Sequence, residues 1–90
     1  MQPMTRTPED IAYHRAFSTL HAISTNLDRA NRNLRANIAR SRQQPEARYW
    51  KSRIAECRAE IARLEADRIE AKSAMEAALA IVREQDKVAA

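Results

Sequence analysis

The sequence predicts an all-α fold: two long helices folded into an antiparallel, coiled-coil-like hairpin that dimerises into a four-helix bundle. Three observations lead there. The 90 residues include no glycine, where average usage would give roughly six, and proline stands only at Pro3, Pro8 and Pro45. Eighteen residues are alanine, the strongest helix former. Apolar residues recur at alternating four- and three-residue spacings over two stretches separated by Pro45, the rhythm of a stripe along a helix. Without glycine there is no phosphate-cradling loop and no nucleophile elbow, and tight hairpin turns between strands are disfavoured.

Residues 1–6 read as a disordered tail. Thr7-Pro8-Glu9-Asp10 is a helix start: a hydroxyl cap, proline at the first helical position, and two acids facing the positive end of the helix dipole. The first helix covers about residues 8–42. Its stripe is Tyr13, Phe17, Leu20, Ser24, Leu27, Asn31, Leu34 and Ile38.

The pattern breaks at residues 43–45, because proline disfavours helical geometry in the residue before it. Pro45 then serves as the first position of a second helix running to about residue 87. That helix carries its own seam of Trp50, Ile54, Cys57, Ile61, Leu64, Arg68, Ala71, Met75, Ala78 and Val82. Two long helices with a short connection form an antiparallel pair. Folding the chain about residue 44 sets Ile38 near Trp50, Leu34 near Ile54, Leu27 near Ile61, Ser24 near Leu64 and Phe17 near Ala71. Small residues then face large ones twice, which fills layers. Residues beyond about 82 have no partner in this register. The competing architecture is one continuous rod kinked at Pro45.

Charge is segregated along this rod. Between Arg29 and Arg58 stand nine basic residues against Glu46 and Glu56, a net of +7; the remaining seven basic and ten acidic residues give −3. Folding gathers the basic block at the turn. Arg35, Arg40, Arg42, Arg48, Lys51, Arg53 and Arg58, together with Tyr49, form the candidate partner-binding tip, suited to an acidic surface on a larger protein or protein–nucleic-acid complex. Nucleic acid is the alternative ligand, through phosphate contacts and stacking on Tyr49 or Trp50. Periodicity assigns Trp50 to the seam and leaves Tyr49 as the freer aromatic.

A second stripe on the long helix, Ala55, Ala59, Ala62, Ala66, Ile69, Ser73, Ala77 and Ala80, lies well over 90° from its seam. Ala16, Ile23 and Ala30 form a matching row on the first helix. Small residues in register let helices approach closely. Ala16, Ile23, Ala30, Ala55, Ala59, Ala62, Ala66 and Ile69 are therefore the candidate self-association surface of a homodimer. Asn31 and Arg68, polar residues in the seams, read as register-fixing devices.

No catalytic constellation is expected, and no metal or cofactor. His14 and His21 are seven residues apart, too far for the i, i+4 pair that grips zinc. Cys57, the single cysteine, reads as a small core hydrophobe. The acids and bases of the second helix, Glu56, Glu60, Arg63, Asp67, Lys72 and Glu76, read as surface ion pairs. A two-helix rod has no cavity to enclose a substrate. The sequence shows neither signal peptide nor membrane span, so a cytoplasmic location is expected, and the richness in alanine and arginine suits a bacterial or phage genome. The function expected is that of a non-enzymatic binding module, a small stoichiometric adaptor or inhibitor. A structural coiled-coil assembly protein is a further alternative.

Overall fold

The computed structural model describes residues 7–89, so the tail expected over residues 1–6 lies outside it. Two helices, α1 (Pro8–Gln43) and α2 (Arg48–Ala89), pack side by side as an antiparallel hairpin. The described residues include no strand. The rod measures 66 × 27 × 14 Å.

Helix α1 begins as its sequence dictates. Thr7 is extended, with φ −71° and ψ 156°, and its hydroxyl accepts the Asp10 N–H at 3.2 Å. Pro8 gives up no helical hydrogen bond at the first position, and Glu9 and Asp10 face the dipole. The other end closes without glycine. Gln44, at φ −132° and ψ 66°, donates its N–H to the Arg40 carbonyl at 3.0 Å, and Arg40 and Arg42 offset the negative helix end.

Pro45 lies in the turn rather than at the first position of α2. The Ala47 N–H donates to the Gln44 carbonyl at 3.1 Å, closing a four-residue turn with proline at its second position. The chain therefore reverses at residues 45–46, and no described residue has positive φ. That shift moves the register by a few residues. Asn37 reaches Cys57, and Arg40 lies over Trp50. At the opposite end Pro8, Glu9 and Ala12 meet Ala78 and Ile81, and Glu9 lies beside Gln85, so pairing runs past residue 82.

The core is a thin line. Leu27, Ala30 and Leu64 are buried together, with Ile23 and Ile61 packed against them; Cys57, Ala71 and Asn37 are also buried. The seam expected on α2 faces α1 except at Arg68, which is exposed. On α1 the inward face is rotated. Tyr13, Leu20, Leu27 and Leu34 do line it, but their companions are Ala16, Ile23, Ala30 and Asn37, each three residues on. The expected companions, four residues on, form its margin: Phe17 is 51% exposed, and Ser24, Asn31 and Ile38 are half-buried. The two rows differ by roughly 50° in the centre of the stripe. The structure uses the row in which Ala30 admits Leu27 and Leu64, small against large.

Candidate partner-binding tip and outer helix face

The turn end is organised around Trp50. Its indole Nε1 donates to the Gln44 side-chain oxygen at 2.8 Å, which fixes α2 to the first residue of the turn. The Arg40 guanidinium lies 5.3 Å from the centre of its ring, and Tyr49 meets it edge-on at 4.8 Å. Trp50 is thus half-buried and engaged on edge and face, whereas Tyr49 is 62% exposed.

Around these aromatics Arg35, Arg40, Arg42, Arg48, Lys51, Arg53 and Arg58 are all exposed, as are Arg29 and Arg32. Among the described residues the single ion pair is Arg53–Glu56 at 2.9 Å, so the other basic side chains of the tip have no acidic partner within 4.0 Å. The other ion pairs expected along α2 do not form at that distance. The two helix starts also differ. Helix α1 opens with two acids, while α2 opens with Arg48 and Lys51 and has no acid in its first turn. Cations at that end oppose the dipole at a cost of up to about 1 kcal/mol each. They add to the positive potential already produced by the free N–H groups of the α2 start.

The second set of expected contact residues divides. Ala55, Ala59, Ala62, Ala66 and Ile69 lie exposed on the outer face of α2, with Ile69 69% exposed. Ala16, Ile23 and Ala30 do not form a free matching row. Ala30 is the most buried residue at 3%, Ile23 packs on the core, and Ala16 is half-buried in the same inward row. The outer face therefore belongs to α2 alone.

The polar devices also fall elsewhere than expected. Asn31 is half-buried and Arg68 is exposed, while Asn37, next to the expected seam residue Ile38, is buried. Its amide Nδ2 donates to Cys57 Sγ at 3.4 Å, a weak bond that gives the buried amide a partner. Its signal lay in the seven-residue series of Ile23, Ala30 and Asn37. Cys57 is buried, with its thiol facing this amide.

At the open end, the Glu9 carboxyl sits below the usual carboxylate range. Its own backbone N–H at the helix start bonds to it first of all, followed by the Gln85 side chain. His14 and His21 are exposed. Among the described residues no three His, Cys, Asp or Glu side chains converge on a metal-sized point. No helix among them is long and apolar enough to cross a membrane. Depressions between the helices are shallow and open, one lined by Pro8, Glu9, Ala12, Ala78 and Ile81, another by Ile23, Asp67, Glu70, Ala71 and Ala74. Compared with models of known families, with curated proteins and with solved structures, the chain matches none.

Proposed function

We propose that the chain is a non-enzymatic binding module of the cytoplasm, an adaptor or inhibitor that docks its basic tip on an acidic surface of a larger protein. The observation that carries this reading is the uncompensated charge of the tip. Exposed cations crowd one end of the rod, Arg48 and Lys51 sit where the helix dipole disfavours them, and an exposed Tyr49 stands among them. Tyrosine and arginine together are the side chains most enriched among residues that dominate binding energy. A cluster of like charges contributes nothing to the hairpin itself and accelerates encounter with an acidic surface. The hairpins also self-associate in this reading, through the outer face of α2.

Affinity capture from the native host, using the wild-type chain and the double variant Arg48→Glu/Lys51→Glu, tests the proposal. One protein should be retained by the wild type and lost with the variant, and the purified pair should associate in a fixed ratio. Retention indifferent to these substitutions, or no retained protein, overturns it. Titration with single- and double-stranded DNA and RNA across salt concentrations is the companion measurement. Tight binding with a steep salt slope would transfer the tip to nucleic acid. The engagement of Trp50 by Gln44 and Arg40, which leaves Tyr49 alone to stack on a base, favours the protein partner.

A further inference from the structure

The outer face of α2 carries a second heptad pattern whose charges select an orientation. Ala59, Ala66, Ser73 and Ala80 form one row; Ala55, Ala62, Ile69 and Glu76 form the other; all are exposed. The stripe lies roughly 150° around the helix from the seam that meets α1. Its flanking positions are Arg58, Glu65 and Lys72 on one side, and Glu56, Arg63 and Glu70 on the other, all exposed. Of these six residues, all but Glu56 are without an ion-pair partner among the described residues.

We propose that two copies of the chain associate through α2 alone, antiparallel, about a two-fold axis between Ala66 and Ile69. This rests on the self-association part of the reading above and adds its geometry. Antiparallel pairing in that register places Ala66 opposite Ile69 of the second copy, Ala62 opposite Ser73, Ala59 opposite Glu76 and Ala55 opposite Ala80, so Glu76 is the one charged residue in the stripe and lies towards each end of the contact. The largest exposed side chain of the stripe thus meets one of the smallest, twice. On the flanks it sets Arg63 against Glu70 and Glu65 against Lys72, each twice, so all four pairs are of opposite charge. A parallel, in-register pair would instead join each flank to the residue five further along the second copy. That sets Arg58 against Arg63 and Glu65 against Glu70, both pairs of like charge, leaves Lys72 facing Ala77, and joins opposite charges only at Lys51 and Glu56. Flanking charges choose partner orientation in paired helices.

The same geometry replaces the four-helix bundle by a flat layer, in the order α1, α2, α2 of the second copy and its α1. An interface on the far side of α2 gives a partner helix no access to α1. The contact is about 38 Å long and on the order of 10 Å wide, so a reversible dimer of modest affinity is expected. Its two basic tips point away from each other, about 60 Å apart.

Sedimentation equilibrium up to about 200 μM tests the arrangement, with circular dichroism to confirm that each variant stays helical. Arg63→Glu and Glu70→Arg, both at exposed positions, should each weaken the dimer on the order of tenfold. The double swap should restore it. In a parallel dimer Arg63→Glu would remove an arginine–arginine contact and strengthen association instead. Strengthening by Arg63→Glu, a double swap no better than the single variants, or a wild-type chain that stays monomeric at the highest concentration overturns the proposal. Capture of an acidic partner by the tip, read on the same samples, separates the outcomes. A monomer or parallel dimer that still captures it leaves the tip reading standing, and an antiparallel dimer that captures nothing removes only the tip reading.

Discussion

The half of the rod nearest the turn and the open half are built from the same two helices yet hold together differently. Towards the turn, Leu27, Ala30 and Leu64 lock in a buried cluster, Asn37 reaches Cys57, and Trp50 is bonded across the turn. Towards the open end Tyr13, Leu20, Met75 and Val82 also face inward but are only half-buried, beside the small Ala16, Ala71 and Ala78, while Phe17 is 51% and Ile81 53% exposed. Hydrophobic residues are present in both halves. The difference is which row of the helix carries the bulk. Where a large residue points inward against a small one, the pair buries area; where a large residue falls off the inward row, as Phe17 and Ile81 do, it is left beside water.

Core truncation should give the widest contrast between the halves. Leu64→Ala should cost about 2–4 kcal/mol, whereas Phe17→Ala should cost less than about 1 kcal/mol, read by urea denaturation at fixed protein concentration. Equal losses would mean that the open end is as tightly held as the turn half.

The buried amide tests what locks the turn half, with a smaller effect. Asn37→Ala should lower stability by about 1 kcal/mol, through lost packing as much as through its weak bond to sulfur. Asn37→Leu leaves no buried donor without a partner and should hold stability near the wild-type level, since Cys57 packs as an apolar group. A large loss in the leucine variant would show that the amide–thiol contact itself fixes the pairing.

The smallest effect belongs to the open end and depends on pH. The folded chain holds the Glu9 carboxyl below its ordinary range, so its contribution is present above the unfolded value and is lost as the pH falls through the folded one. An NMR titration should find the Glu9 midpoint below the ordinary value of a glutamate side chain, and Glu9→Gln should remove this part of the acid dependence. An unshifted midpoint would mean that neither the N–H at the helix start nor Gln85 holds the carboxylate.

Much of this was legible from residue types alone. Thr7-Pro8-Glu9-Asp10 marked the start of α1, Pro45 marked the reversal, and the seam of α2 emerged nearly complete because its rows of Ile54, Ile61 and Met75 and of Cys57, Leu64 and Ala71 carry the larger side chains, while the competing stripe is alanine but for Ile69, Ser73 and Glu76. The face of α1 was not legible in the same way. Phe17 and Ile38 on one row compete with Ile23 and Ala30 on the other, and only the packing of Leu64 against a small residue decides between them. The turn was misplaced by the same local ambiguity: proline suits both a helix start and the second position of a turn, and the Ala47–Gln44 bond selects the latter. The basic tip was legible as composition. Its lack of acidic partners needed the folded chain.

The burial of Cys57 has a kinetic consequence. The only thiol in the chain is 7% exposed, with its sulfur against Asn37 of the facing helix. A thiol-directed reagent gains full access to it only when α1 lifts from α2 near the turn. In the limit where reclosing outpaces reaction, the labelling rate therefore reports the fraction of time the hairpin stands open there. The chain carries its own clock for separation of its two helices, placed in the half where they are held most firmly.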